Sequence, residues 1–309
     1  MLHLRLTVPS DRAADIVARL ECTPGVAHLA RMAGASVRPA GDLVLCDLAR
    51  EAADDVVEWL QDEGLHRSGA ITLEAVGTVV SDAAEVAEAA VPGHGSDALV
   101  WEELEAAARE HAALTPSVMV LMAIATMIAG VAILLDSPIL VVGAMVVGPE
   151  YGPLAALCVA AVRGRWLSAW GAARTLLAAI AVGALTTFAL TVVLRATGIA
   201  PDGYDVTARQ LTSFISRPDG LAAVVAVLAG VAGMLSLTEA RSGTLVGVLV
   251  SVTTIPAIAN MGVAAAYGEA PEVRGAALQL LVNLAGLVVA GVLTLHVQAR
   301  LTVRRRGNA

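Results

Sequence analysis

The chain contains no lysine; all 20 of its basic residues are arginine. That bias alone assigns no function. Charge of either sign is scarce, at 16% of residues, and aromatic side chains make up only 3%. Soluble domains usually carry about a quarter charged residues, so a chain that is 57% hydrophobic calls for an apolar solvent over part of its length. Cysteine is also sparse. Cys22, Cys46 and Cys158 stand apart with no CxxC pair, which excludes a disulfide framework and a zinc ribbon. No cofactor or metal-ligand set is expected. No signal peptide opens the chain, because Met1-Leu2-His3-Leu4-Arg5 runs directly into strand-like alternation. The N-terminus is therefore expected in the cytoplasm of a bacterial cell.

The charge that is present is unevenly spread. Residues 1–116 hold 20 acidic side chains and 8 arginines; residues 117–309 hold 8 acidic side chains and 12 arginines. The break falls near Thr115-Pro116. An acidic N-terminal half lacks the basic patch that nucleic acid requires, so no nucleic-acid partner is expected.

Within residues 1–80, Leu2, Leu4 and Leu6 alternate with His3, Arg5 and Thr7, the pattern of a half-buried strand. Ser10-Asp11 is placed to cap a helix carrying Ala14, Ile16, Val17 and Leu20. Strands follow at about 26–32 and 43–48, a helix at 49–63, and a fourth strand at 71–76. The order βαββαβ predicts a cytoplasmic ferredoxin-like α+β domain, which by itself names no function. Its first loop lacks the thiol pair of a metal chaperone. Residues 81–116 read as a helical linker, with an Ala/Glu-rich helix at 81–90 and an acidic amphipathic one at 96–113.

A bilayer span needs about 20 apolar residues. Six stretches in the region 117–298 qualify: about 117–135, 138–162, 168–194, 219–238, 244–267 and 276–297. A basic tail, 299–309, ends the chain. The proposed cytoplasmic ends carry Arg109, Arg163, Arg165, Arg241, Arg300, Arg304, Arg305 and Arg306, against Arg195, Arg209, Arg217 and Arg274 outside. Eight against four orients both termini inward, in the bacterial inner membrane.

Two pieces repeat. Ser137-Pro138-Ile139-Leu140-Val141-Val142-Gly143 precedes Pro149 and Pro153, and Ser242-Gly243-Thr244-Leu245-Val246-Gly247 precedes Pro256. Each lies in the second span of a three-span half, so two such halves would be inverted in the membrane. Inverted repeats with interrupted helices characterise secondary transporters, and the breaks mark the usual binding site.

The run Asp136-Ser137-Pro138 with Val142-Gly143-Ala144-Met145-Val146-Val147-Gly148-Pro149-Glu150-Tyr151-Gly152-Pro153 resembles the signature of a prokaryotic membrane family, the uncharacterised hydrophobic-domain proteins (domain of unknown function 389). Further similar pieces are Trp101-Glu102-Glu103-Leu104, Arg217-Pro218, Leu245-Val246-Gly247-Val248, Ile255-Pro256 and Leu281-Val282-Asn283-Leu284. The likeness covers most of residues 100–298. It implies a polytopic membrane architecture and no particular activity. Glu150 departs from the family, which often carries an apolar residue after the first proline.

Glu150 is the sharpest feature. A charge in mid-membrane costs about 2.5–3.5 kcal/mol on insertion scales, so this carboxyl is expected to face a cavity or a partner. It is read either as an ion- or proton-coupling group or as a protonated carboxyl bonded to carbonyls that the prolines release. Ser251, Thr253, Thr254 and Asn260 around Pro256, with Asn283 and Gln279 on the last span, are candidates to line the same pathway as Gly148, Pro149, Glu150 and Pro153. Hydroxyls that re-satisfy backbone at a proline kink, and amides that bond between helices, explain them equally well. The spans hold no lysine, no aspartate pair and one marginal histidine, His296, so no enzymatic role is expected. The function expected is transporter- or channel-like, acting on a small solute or ion, in a homo-oligomer within the lipid bilayer. The competing expectation is a membrane-anchored sensor or scaffold without transport.

Overall fold

The alternation at the N-terminus builds β1 (Leu2–Val8), which pairs antiparallel with β3 (Ala40–Leu48) and β4 (Ala70–Ala75). β3 pairs in turn with β2 (Val26–Val37), giving a four-stranded antiparallel sheet in the order β2-β3-β1-β4. In the computed structural model the described residues are 1–91, 100–201, 203, 215, 220–238 and 254–307. The chain divides into two compact units, Met1–Leu104 with Gln298–Ala309, and Glu105–Val297.

In the first unit the inward positions Leu2, Leu4, Leu6 and Val8 of β1 meet Val44, Cys46 and Leu48 of β3. One face of each of two helices covers them: α1 (Ala13–Glu21) through Ala13, Ile16 and Leu20, and α2 (Arg50–Asp62) through Ala52, Ala53, Val56 and Leu60. Each fully buried leucine contributes about 1.5–3 kcal/mol of transfer free energy. A single turn of helix, α3 (Leu65–Ser68), leads into β4.

Two local expectations change. Ser10-Asp11 does not cap α1; the helix starts at Ala13 with Arg12 at its N-cap and no side-chain cap bond. Ser10 Oγ donates instead to Asp42 Oδ1 at 2.6 Å, because a buried carboxylate on β3 is the stronger acceptor. The β2–β3 hairpin is also longer than 26–32 and 43–48, with Ser36 opposite Gly41 and Val37 opposite Ala40. Small residues hid this extension, since they give no hydrophobic alternation. Beyond the sheet, α4 (Asp82–Ala89) and α5 (Trp101–His111) follow, and Asp54 Oδ1 accepts the Trp101 N–H at 3.0 Å where α5 begins.

The second unit is helical. α6 (Pro116–Leu134) starts where Thr115 caps the Val118 N–H and Pro116 needs no donor; α7 (Pro138–Val147) starts identically with Ser137 and Pro138. α8 (Tyr151–Val162), α9 (Trp166–Ala196), α10 (Gly220–Thr238), α11 (Ile255–Tyr267) and α12 (Ala270–Gly307) complete it. Among the described residues, four helices (α6, α9, α10 and Ala270–Leu301 of α12) are long and apolar enough to cross a membrane, and α7 with α8 makes a fifth candidate if the bent pair is one span. Of the expected span 244–267 only the part from Thr254 lies within the described residues. α6 packs on α7, α9 and α11; α9 packs on α8 and α11; α10 packs on α8.

Small residues permit these contacts. Thr126 Oγ1 donates to Gly183 O at 3.2 Å, joining α6 to α9, and a β-carbon on Gly262 would lie 2.7 Å from Ala184 O. The outward faces stay apolar: Leu121, Ile124, Leu177, Leu185, Leu228 and Leu293 are all exposed. Such a belt is costly in water and neutral in hydrocarbon, so the unit reads as a membrane domain.

Candidate functional site

α7 ends because of Pro149. A proline ring disfavours helical backbone in the residue before it, and Gly148 is accordingly extended, at φ −68° and ψ 131°. The chain resumes as α8 after Glu150, bent by 58° from α7. Pro153 does not contribute to the break as expected. It sits in the first turn of α8, where a missing N–H costs nothing. Pro256 occupies the equivalent tolerated place near the start of α11.

Glu150 is the N-cap residue of α8, yet its side chain does not cap that helix. It reaches across to α11, where the Thr254 hydroxyl donates to Glu150 Oε1 at 2.8 Å. Thr254 is itself the N-cap of α11, so the carboxyl lies at the positive end of that helix dipole. Glu150 and Thr254 are each 1% exposed, which closes the pair to solvent in this conformation. Gly148 makes the approach possible. A β-carbon there would fall 2.8 Å from Ile255 Cδ1 and would also meet Glu150 Oε2. The structure thus brings Gly148, Pro149, Glu150, Thr254 and the start of α11 together.

Asn260 is buried farther along α11. On α12, Gln279 Nε2 donates to Asn283 Oδ1 at 3.3 Å, so these two buried amides bond to each other. Ser251 and Thr253 lie outside the described residues, as do Gly243, Gly247 and Arg241. Chemically, a buried carboxyl bonded to a hydroxyl can hold a proton or a desolvated cation, provided water or solute reaches it.

Several polar contacts carried no sequence signal. Tyr151 Oη donates to Gly233 O at 2.7 Å, tying α8 to α10 beside the break. At the far end of α9, Arg195 donates to Ala266 O and lies 4.3 Å over the Tyr267 ring, while Tyr267 Oη donates to Pro201 O at 2.7 Å. Glu105 binds three arginines. In the first unit, Asp47 takes His3 Nδ1 at 2.9 Å and His28 Nδ1 at 2.6 Å, and His28 Nε2 meets Ser81 Oγ at 2.8 Å. Burial works to raise the Asp47 pKa, but the hydrogen bonds and charges of the two histidines outweigh it and hold the carboxyl below its usual range. Apart from Glu105–Arg109, one helical turn apart, these pairs are far apart in sequence, which is why periodicity cannot find them.

Residues 145–289, from the end of α7 into α12, match the family described as domain of unknown function (DUF389). This is a narrower stretch than the 100–298 suggested by the resemblance, and it contains the break and α11 in full. No curated protein and no solved structure matches the chain.

Proposed function

We propose that this chain is a polytopic inner-membrane protein of transporter- or channel-like architecture, with a solute or ion pathway between the α7/α8 break and the start of α11. The carrying observation is the 2.8 Å bond from Thr254 to Glu150, which ties the α7/α8 break to the start of α11 at a buried carboxyl. The α7/α8 break belongs to the middle element of α6, α7/α8 and α9, and Pro256 falls in the span expected at 244–267, between α10 and α12. That arrangement supports six spans in two inverted repeats, and the arginine balance supports both termini inside. In this reading the Glu150–Thr254 bond is the closed state. A proton or cation taking the place of the Thr254 hydroxyl opens it. The element order and the strand order β2-β3-β1-β4 support a ferredoxin-like cytoplasmic domain with a regulatory or assembly role, in a homo-oligomer without enzymatic activity.

A second reading, a membrane-anchored sensor or scaffold, is favoured by the near-complete burial of Glu150 and Thr254. Thiol labelling separates the two. Cys22 is exposed, while burial pushes the Cys46 thiol up to about 12; all three cysteines are replaced to leave a clean background. Glu150→Cys is then probed with a membrane-impermeant thiol reagent from each side, with Thr197→Cys on the exposed end of α9 as control. Labelling at position 150 supports a water-filled pathway. Protection from both sides in a folded protein, with the control labelled, favours the scaffold.

A further inference from the structure

The turn between α8 and α9 carries Arg163 and Arg165, and both reach Glu105 on α5: Arg163 Nε lies 3.0 Å from Oε1, and Arg165 Nη1 bonds Oε2. Arg109, one helical turn from Glu105, adds a third guanidinium at 3.3 Å. Among the described ion pairs these three arginines share one carboxylate, and their side chains remain 42–66% exposed while Glu105 is only 10% exposed. An ion pair that served packing alone would be complete with one arginine.

Beneath this rim lies an open pocket whose walls are Ala108, Ala112, Ala156, Val159 and Ala160. Ser168 also lines it, in the first turn of α9, and that turn presents backbone N–H groups without intrahelical partners. Arg165, the N-cap residue of α9, makes no side-chain cap bond there. A phosphate therefore finds forked guanidinium donors and a 31-residue helix N-terminus side by side, above an apolar floor. The depth fits as well. Trp166, Leu167 and Trp170 at the start of α9 are exposed, the placement of side chains at the headgroup level of a bilayer.

We propose that this pocket binds the phosphodiester headgroup of an anionic phospholipid, with Arg109, Arg163 and Arg165 on the phosphate and an acyl segment against the alanine and valine wall. The site is independent of the Glu150 pathway. Glu105 acts as an internal competitor that holds the guanidiniums in place while no lipid is bound.

The test uses the full-length protein, delipidated in detergent and reloaded with an equimolar mixture of phosphatidylglycerol and phosphatidylcholine. Retained lipid is read by native mass spectrometry. The wild type should retain phosphatidylglycerol preferentially. Arg165→Gln should lower that preference about fivefold, and Arg163→Gln/Arg165→Gln should abolish it, at unchanged thermal midpoint. Glu105→Gln should raise the preference, an increase that a merely structural ion pair would not produce. If Glu105→Gln does not fold, the Arg165→Gln comparison decides. Equal retention of the two lipids by the wild type, or full preference in the double variant, overturns the proposal. Adding 10 mM inorganic phosphate distinguishes the source: loss of the retained lipid at unchanged ionic strength would assign the pocket to free phosphate and overturn the lipid assignment.

Discussion

At Gly148 the missing β-carbon is what lets Ile255 and the Glu150 carboxyl close on the chain. Gly148→Ala must push one of them away, and overpacking of this kind costs about 1–3 kcal/mol. The expected outcome is a lower thermal midpoint in detergent. Gly143→Ala on α7 should be within about 0.5 kcal/mol of wild type, since nothing lies within 4 Å of its β position. Gly148 was visible in the sequence as part of a Gly-Pro-Glu run, and so was Glu150. That the Glu150 carboxyl would accept from Thr254 was not visible, because several polar residues near one proline are equivalent until the helix start fixes where Thr254 lies.

At the scale of elements, Asp42 shows how one buried carboxylate sets local structure. It accepts from Ser10 Oγ at 2.6 Å, from the Gly34 N–H at 3.0 Å and from Arg31 Nε at 2.8 Å, joining the loop before α1 to both strands of the hairpin. Those hydrogen bonds, that of Ser10 foremost, hold its pKa down at about 2, against the opposing effect of burial. A carboxylate with a depressed folded-state pKa stabilises the fold above its ordinary value of 3.8 and loses that contribution as pH falls from there toward about 2. Asp42→Asn should therefore lower the denaturant midpoint of the full chain at pH 6. The gap to wild type should narrow as pH is taken from 4 to 2, followed by far-UV circular dichroism. The helices and strands here were legible from periodicity, and the α7/α8 break from Pro149. The missed cap at Ser10 and the extra hairpin length were not, since both depend on a carboxylate 32 residues away from Ser10 and on small residues without pattern.

For the whole molecule, the governing quantity is the apolar surface that helices α6, α9, α10 and α12 leave outward. A 19-residue helix rises about 28 Å, enough for the hydrocarbon core, and the 31 residues of α9 exceed it. The chain should accordingly remain with the membrane pellet after alkaline carbonate washing and enter solution only with detergent. Release by carbonate alone would contradict the membrane reading of these helices. The acidic first unit, whose core is sheet against helix, needs no lipid for its own burial, and the composition break near Thr115-Pro116 reflects that difference in solvent.

What the sequence determined by itself was the solvent of each part, the amphipathic or all-round apolar character of each element, and the interruption at Pro149. These depend on residue type and short spacing, which a linear chain displays directly. Only the tertiary structure decided that Thr254 holds Glu150, that Gln279 donates to Asn283, and that Glu105 gathers Arg109, Arg163 and Arg165. In a lysine-free, alanine- and valine-rich chain many polar pairings are compatible with the same pattern. Which of them form is settled by how closely glycine, alanine and threonine let particular helices approach.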